Sequence, residues 1–347
     1  MSYKRVIAVD VMGGDYAPGA IIEGVASALE TLDKSFRYLL VGNQDVIGRG
    51  LKSLGISGDS RIDIVHAEEV IGMDEHPVSA VRHKLHASIN VAADLVKQNE
   101  ADGLFSAGNT GAAVGSTFLK WRMLPGIERP AIATSLPRES GRRFLIIDAG
   151  ATVDCAPSNL AQFAVMGDIY ARNILKIDNP AIGILSNGTE VGKGNKTTQE
   201  AFNLIREIKS LNFVGNVEGH DLFTDRVDVV VCDGFVGNIA LKCCEQLAKT
   251  FGSLLKRELK SKLLWSFGAL LSKGAFRNIK NMLDPAEIGG APLLGVNGIC
   301  LIGHGISDAR AVRNGLNAVI GIIHQDVNRK IVEQIHEYGL DEIIRGS

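Results

Sequence analysis

The residues best suited to chemistry form a glycine-rich turn that follows a short apolar stretch. It begins at Ser106 and continues Ala-Gly-Asn-Thr-Gly, so that Gly108 and Gly111 bracket Asn109 and Thr110. Glycine lets the backbone turn sharply and expose its N–H groups, and Asn109 or Thr110 can cap a helix that starts there. Because a helix N-terminus has unpaired donors and the positive end of the helix dipole, this turn can bind a phosphate. A capped strand-to-helix connection without a ligand is the other interpretation.

A second turn of this kind follows the first apolar stretch, where Gly13 and Gly14 lie between Asp10 and Asp15. A carboxylate beside a phosphate site must bind a cation, a hydroxyl group or a basic side chain rather than the anion. The simpler interpretation makes Asp15 an N-terminal helix charge and Asp10 a turn residue. On the functional interpretation, the phosphate-binding residues are Gly13, Gly14, Gly108, Asn109, Thr110 and Gly111.

Polar residues also follow later apolar stretches. Lys193 lies in a glycine-rich loop that can embrace an oxyanion, although its glycine spacing is not that of a P-loop, and a plain surface loop is the alternative. Asp233 and Asn238 belong to another glycine-containing turn, and His304 is the histidine found at such a turn. Since a lone histidine is more often a hydrogen-bonded structural residue, spacing alone does not assign His304 to catalysis.

The elements that position these turns alternate regularly. Apolar stretches at residues 6–10, 38–41 and 62–66 predict strands, and the periodic segments between strands predict helices, including one long helix over 77–97. No linker or repeat interrupts this alternation. We therefore expect a single catalytic domain spanning residues 1–347, a doubly wound α/β/α sandwich whose polar turns converge at the carboxyl ends of parallel strands.

Composition excludes several functional classes. A net charge of -2 over 347 residues gives no reason to expect nucleic-acid binding. The five cysteines contain no Cys-x-x-Cys pair, no signal peptide or membrane-spanning run is present, and we expect a cytoplasmic protein. The glycine fingerprint of dinucleotide-binding proteins, the Gly-x-Ser-x-Gly of serine hydrolases and clustered zinc ligands are all absent. The sequence predicts neither a metal nor a cofactor.

Residues 245–284, which we call the helical excursion, interrupt the strand-helix alternation with a basic amphipathic pattern. Apolar residues recur at three- and four-residue steps, and the basic residues between Lys249 and Lys280 are opposed by Glu258 alone. Such a composition is typical of helices that lie on anionic membranes, and it also suits an acidic protein partner. Packing in the core or against a second subunit is the alternative. The predicted contact residues are Lys256, Arg257, Lys260, Lys262, Leu263, Trp265 and Phe267.

Taken together, these motifs resemble one known family. They are Ala8-Val-Asp-Val-Met-Gly-Gly-Asp15, Ser106-Ala-Gly-Asn-Thr-Gly-Ala112, Gly126-Ile-Glu-Arg-Pro130, Gln162-Phe-Ala-Val-Met-Gly167, Asp228-Val-Val-Val-Cys-Asp-Gly-Phe-Val-Gly-Asn238 and His304-Gly-Ile-Ser-Asp308. The chain resembles the phosphate acyltransferase family (acyl-carrier-protein:phosphate transacylase, PlsX) from about Val6 to the C-terminal helices. The resemblance implies an isocitrate-dehydrogenase-like fold related to phosphotransacetylase, and a homodimer.

The resemblance also implies a reaction in which inorganic phosphate attacks a fatty acyl-[acyl carrier protein] and forms acyl phosphate, the first step of bacterial phospholipid synthesis. The product would pass to a downstream membrane acyltransferase, which suggests peripheral membrane association. The turn at 108–111 would hold phosphate, and Asn109, Asn238 and Lys193 would stabilise the oxyanion beside Asp233, with modest acid help from His304. A phosphotransacetylase-like enzyme using acyl-coenzyme A and a non-catalytic carrier-protein or membrane adaptor remain alternatives.

Overall fold

A computed structural model describes residues 5–346, and its strands form one eleven-stranded sheet. The strands are β1 (Arg5–Asp10), β2 (Phe36–Gly42), β3 (Ile62–His66), β4 (Gly103–Ser106), β5 (Ala131–Pro137), β6 (Arg143–Ile147), β7 (Ile182–Leu185), β8 (Phe213–Val217), β9 (Val229–Val231), β10 (Ala291–Leu294) and β11 (Cys300–Ile302). Their order across the sheet is β3-β2-β1-β4-β11-β10-β5-β6-β9-β7-β8.

Helices connect most of these strands. They are α1 (Gly19–Thr31), α2 (Gln44–Ser53), α3 (Pro77–His83), α4 (Ser88–Lys97), α5 (Thr110–Trp121), α6 (Pro157–Asn173), α7 (Lys196–Glu207), α8 (Gly234–Lys260), α9 (Leu263–Leu271), α10 (Lys273–Leu283), α11 (Ala309–Gln325), α12 (Val327–Glu337) and α13 (Leu340–Gly346). None of the helices within residues 5–346 has the length and apolar character needed to cross a membrane.

The core lies on both faces of the sheet, as a sandwich requires. Successive residues of a strand point to opposite faces, so Ile7 and Ala8 of β1 enter different clusters of buried side chains. The cluster around Ile7 includes buried residues of α1, α6 and α11, whereas the cluster around Ala8 includes residues of α4 and α5. The expected α/β/α architecture is confirmed.

The direction of the strands divides the sheet into two halves. β1, β2, β3, β4 and β11 are mutually parallel, and β6, β7, β8 and β9 form a second parallel group. Between the groups, β10 is antiparallel to both β11 and β5, and β5 is antiparallel to β6. The two groups therefore run in opposite directions, and the expectation that all polar turns share one edge of a parallel sheet is wrong.

Two further local expectations are wrong. The predicted long helix over 77–97 is two helices, because the backbone leaves the helical region at Lys84 (φ -95°, ψ 71°). The Asn90 side chain donates to the carbonyl of Lys84 at 2.8 Å and to that of Val81 at 3.0 Å, and both bonds stabilise the break. The short strands β8 and β10 were not expected from the apolar pattern of the chain.

The helical excursion comprises the outer part of α8 together with α9 and α10. The buried residues of α8 are Gly234 and Gly237 near its start, and α9 and α10 contain no buried residue. Leu263 is 93% exposed and Phe267 60% exposed, while the Lys262 ammonium lies 4.2 Å from the centre of the Trp265 ring. The apolar stripe does not pack into the core of this chain.

Candidate active site

The turn between β4 and α5 is held in place by the carboxamide of Asn109. Its Oδ1 accepts a hydrogen bond from the N–H of Ala112 at 3.0 Å and so caps α5. Its Nδ2 lies 3.1 to 3.3 Å from the carbonyl oxygens of Gly72, Met73 and Glu75. Because these contacts engage both ends of the carboxamide, Asn109 positions the turn against the loop before α3.

The cap leaves other donors of α5 unpaired. Thr110 and Gly111 are the first two residues of the helix, and no hydrogen bond between described residues uses their backbone N–H groups. Both groups belong to the first helical turn, where the helix dipole is positive. They are the donors that the sequence predicted for phosphate.

Other members of the predicted phosphate-binding set pack behind this helix end. A Cβ atom on Gly13 would lie 2.8 Å from the Cα of Gly108, and one on Gly14, whose φ is +111°, would lie 3.0 Å from the carbonyl oxygen of Ala107. Only glycine permits such a close approach of the turns that follow β1 and β4. Gly13, Gly14 and Gly108 therefore set the position of α5.

Asp10 stabilises the contact between the turns that follow β1 and β4. It is buried, and its Oδ2 accepts a hydrogen bond from the Ser106 hydroxyl at 2.7 Å, whose oxygen in turn accepts from the N–H of Gly108 at 3.2 Å. Burial raises the pKa of Asp10, although hydrogen bonds from Ser88 and Ser106 oppose that rise. As the sequence required of an acid near a phosphate site, Asp10 is bound to hydroxyl groups.

A second group of turns consists of the turn after β6 and the turn that leads into α8, which are far apart in the chain but lie in contact. The Asp148 carboxylate is fully buried and accepts backbone N–H bonds of 2.6 to 3.0 Å from Ile132, Gly150, Ala151 and Thr152. Those bonds fold the chain after β6 into a compact turn beside the middle of β5. The first turn of α8 lies directly against it.

Asn238 lies at the start of the second turn of α8. Gly150 lies beside it, since a Cβ atom at this position would be 3.5 Å from the Asn238 Cγ, an ordinary contact, and its φ of +137° is what favours glycine there. No hydrogen bond between described residues uses the Asn238 side chain, which is exposed. It is therefore free to bind a ligand.

His304 follows β11 and faces both groups. Its Nδ1 accepts a hydrogen bond from the N–H of Ile306 at 3.3 Å, so that a neutral ring carries its proton on Nε2. The same turn is tied to the first half of the sheet by the N–H of Asp15, which donates to the carbonyl of Gly305 at 2.8 Å. Burial, and next the positive charge of Lys242, lower the pKa of His304. A neutral imidazole is favoured at neutral pH.

One large cavity brings these groups together, although their strands run in opposite directions. We call it the main cavity; its volume is about 1530 Å³. Its polar wall includes Thr110, Gly111, Gly150, Asn238, Lys242 and His304. Turns from both halves of the sheet line this cavity because β6 ends early: its last residue, Ile147, pairs with Ala133, the third residue of β5. The turn after β6 thus lies inside the sheet rather than at its far edge.

Sequence reasoning missed part of the wall of this cavity. Thr134 and Ser135 of β5 line it, as do Gly289 and Gly290 before β10. The Gly-Gly pair was a usable signal, since Gly289 has φ +81° and a Cβ atom there would lie 2.0 Å from the backbone nitrogen of Gly315. The hydroxyl groups of Thr134 and Ser135 gave no sequence signal, because their place in the cavity wall depends on the pairing of β5 with β10, which is distant in the chain.

Two predicted residues lie elsewhere. Asp233 caps α8, with its Oδ1 accepting from the N–H of Val236 at 2.8 Å, and it does not line the main cavity. Lys193 is exposed in the loop after β7, where its backbone N–H donates to the carbonyl of Glu190 at 3.1 Å, and it also does not line the cavity. The structure does not bring Lys193 to Asn238 and His304.

Comparison with solved structures shows the fold. Over 93% of its length, the chain superposes on 94% of a phosphotransacetylase from Streptococcus pyogenes with a TM-score of 0.62 at 18% sequence identity. It also covers 95% of the EutD phosphotransacetylase from Staphylococcus aureus, with a TM-score of 0.58 at 15% identity over 93% of this chain. The predicted relation to phosphotransacetylases in fold is confirmed.

Comparison with protein sequences shows the family. The fatty acid synthesis protein family model matches residues 5–330. A phosphate acyltransferase of Nitratidesulfovibrio vulgaris strain DP4 is 43% identical over 332 residues, which cover 96% of this chain and 95% of that protein. The phosphate acyltransferase of Dictyoglomus turgidum is 46% identical over 332 residues, with coverage of 95% and 98%. The chain belongs to this family of phosphate acyltransferases, which are acyltransferase enzymes.

Proposed function

We propose that this protein transfers a fatty acyl group from acyl carrier protein to inorganic phosphate and so forms acyl phosphate. One observation carries the proposal: the unpaired N–H groups of α5, the carboxamide of Asn238 and the ring of His304 line one largely apolar cavity. Anion donors beside an apolar space suit a reaction between phosphate and a fatty acyl thioester. The step belongs at the start of bacterial phospholipid synthesis.

Phosphate binds at the N-terminus of α5 in this proposal. The N–H groups of Thr110 and Gly111 hold its oxygens, and the positive helix end offsets part of its charge. Fixing and partly desolvating the anion beside the thioester replaces a slow encounter in solution with an attack between held groups. The protein therefore needs no cationic side chain in direct contact with phosphate.

The attack forms a bond from a phosphate oxygen to the thioester carbonyl carbon and places negative charge on the carbonyl oxygen. The amide of Asn238 and the Nε2–H of a neutral His304 are the donors available to this oxyanion. The C–S bond then breaks, and the proton carried by hydrogen phosphate ends on the departing thiol. A thiolate leaves readily, so acid help from His304 is modest.

No acyl-enzyme intermediate is required. Burial raises the pKa of Cys155 and of Cys300 to about 12, and it raises that of Cys232 as well. Thiols of this kind are poor nucleophiles because the thiolate is the reactive form. Direct attack by phosphate is the simpler route.

Thiol release tests the function and its rivals together. Purified protein should release free thiol from palmitoyl-acyl carrier protein only when phosphate is present, and much faster than from palmitoyl-coenzyme A. Faster release from the coenzyme A thioester would favour a phosphotransacetylase-like enzyme. Binding of acyl carrier protein with no phosphate-dependent release would favour the adaptor.

Peripheral membrane association is a second part of the proposal. Exposed Leu263 and Phe267 and the surrounding basic residues support contact between the helical excursion and an anionic surface, where each basic residue contributes about 1 kcal/mol. We expect salt-sensitive cosedimentation with anionic vesicles, weakened by Leu263→Glu or by Lys260→Glu with Lys262→Glu. The charge-matched control is a double reversal at the exposed residues Lys34 and Lys52. Equal vesicle binding by both double variants would contradict membrane contact, and the helical excursion would then be interpreted as a surface for the carrier protein or for the second subunit.

Localisation, oligomeric state and protein partners are the remaining parts of the proposal. We propose a cytoplasmic homodimer whose acyl phosphate product passes to a membrane acyltransferase. The lysines along the main cavity, including Lys249 and Lys256, also suit the docking of an acidic carrier protein. Light scattering after gel filtration measures the oligomeric state, and a monomeric mass at micromolar concentration would contradict the dimer.

A further inference from the structure

We propose that the main cavity continues along α8 as a channel for the acyl chain, and that Gly252 and Ala248 in its wall set the longest chain accepted. This inference rests on the proposed function, since the channel starts at the groups that would bind the thioester. It adds a substrate-selecting surface to the reactive end of the cavity.

The channel is defined by one face of α8 and by the helices that return beside it. Cavity-lining residues of α8 recur at three- and four-residue steps from Asn238 to Lys260, which is one side of a helix. At 1.5 Å per residue, this face is about 33 Å long. Residues such as Leu270 and Phe276 of α9 and α10 line the opposite side.

The chemistry of the wall favours a hydrocarbon occupant. Along the centre of the α8 face lie Leu241, Ala248, Gly252, Leu255 and Leu259, and the lysines of α8 line one side of this row. Glu245 is the charged residue within the row, and its carboxylate is paired with the Lys242 ammonium at 3.3 Å. An apolar chain can occupy such a centre without hydrogen-bond partners. The amide-bearing arm of a carrier thioester cannot do so without cost, because buried amides need partners. The family match to fatty acid synthesis proteins agrees with an acyl occupant.

Gly252 forms a notch in this face. It lies in the middle of a 27-residue helix, where glycine costs about 1 kcal/mol relative to alanine. A Cβ atom at Gly252 would meet nothing within 4 Å, so no packing against protein explains its small size. Together with Ala248 it leaves room in the channel about 15 to 21 Å along the helix from Asn238.

Larger residues at these positions should therefore shorten the channel without unfolding the protein. Gly252→Leu projects a side chain into the open space and raises helix propensity. Gly268→Leu is the matched control, because Gly268 lies on α9, does not line the cavity and also has open space around it. Helical content measured by circular dichroism should be unchanged or higher in both variants.

Binding can be measured without any chemistry. A fluorescent polyene fatty acid bound to the full-length protein is displaced by palmitate or by octanoate, in the absence of phosphate and thioester. Each methylene that loses its contacts weakens binding about fourfold, so displacement of two methylenes corresponds to about 14-fold. We expect Gly252→Leu to weaken palmitate at least tenfold and to leave octanoate unchanged, and Ala248→Leu to act in the same direction. The Gly268 control should match the parent for both.

The result is decisive in either direction. Equal binding of palmitate and octanoate by the parent, or equal losses in the Gly252 and Gly268 variants, would overturn the channel. Thiol-release kinetics with palmitoyl- and octanoyl-acyl carrier protein should show the same loss of selectivity for the long chain. If the parent releases no thiol, the proposed function fails, and the binding data still decide whether the channel exists.

Discussion

Replacing Thr110 by proline should remove one phosphate donor while leaving the fold intact. Proline has no N–H group, and its fixed φ suits the first position of a helix, which Thr110 occupies. The residue before a proline must be extended, and Asn109 already has φ -60° and ψ 115°. The cap from Asn109 to Ala112 is independent of the lost group.

The magnitude follows from the bond that is lost. A hydrogen bond from a neutral donor to a charged acceptor contributes about 1.5 to 3 kcal/mol. At 1.4 kcal/mol per factor of ten, Thr110→Pro should raise the KM for phosphate by about 12- to 140-fold. The unfolding temperature should stay near that of the parent, because the helix loses no intrahelical hydrogen bond.

Steady-state kinetics at saturating acyl-acyl carrier protein measure this effect. Thr110→Ala is the control, since it removes the side chain and keeps the N–H group. The reasoning would be refuted if the proline and alanine variants had the same KM for phosphate, or if the proline variant lost activity only together with its folded structure.

Further predictions concern the other side of the cavity. Lys242→Met should raise the pKa of His304, because it removes a positive charge that lowers this pKa; the ring proton signals of His304 followed by NMR against pH check this, and an unmoved titration would contradict it. Asn238→Ala should lower kcat by about 10²–10³, whereas Lys193→Ala should lower it far less, and comparable losses would place Lys193 at the site. Gly237→Ala puts a Cβ atom 1.9 Å from the Asp148 carbonyl oxygen, so it should destabilise the protein by about 1–3 kcal/mol and a parent-like unfolding temperature would contradict the contact.

The local pattern of the sequence predicted elements more successfully than it predicted how they meet. The strand at Ile62–His66 and the cap of α5 were expected because each depends on residues close in the chain. The reversal of half the sheet depends on β10 entering between β11 and β5, and nothing in the residues 291–294 specifies that pairing.

The candidate site shows the same division. The glycine pattern indicated a phosphate turn, yet Gly13 and Gly108 proved to be a contact between two backbones from distant parts of the chain. Asn109 was expected to face the reaction, whereas the carbonyl groups of Gly72, Met73 and Glu75 engage its amide. Such contacts are set by tertiary packing, which a single sequence does not display.

Direct attack by phosphate is the central claim, and the mass of the protein during turnover, measured together with the mass of the product, tests it most directly. The protein is incubated with palmitoyl-acyl carrier protein and phosphate labelled with ¹⁸O at every oxygen, and both product and protein are examined by mass spectrometry. We predict intact palmitoyl phosphate that carries all of the label and a protein of unchanged mass. In a second sample, hydroxylamine should convert the product to the unlabelled hydroxamate and release phosphate that carries all of the label. A protein that gains the mass of a palmitoyl group during turnover, or thiol release without labelled acyl phosphate, would contradict the account.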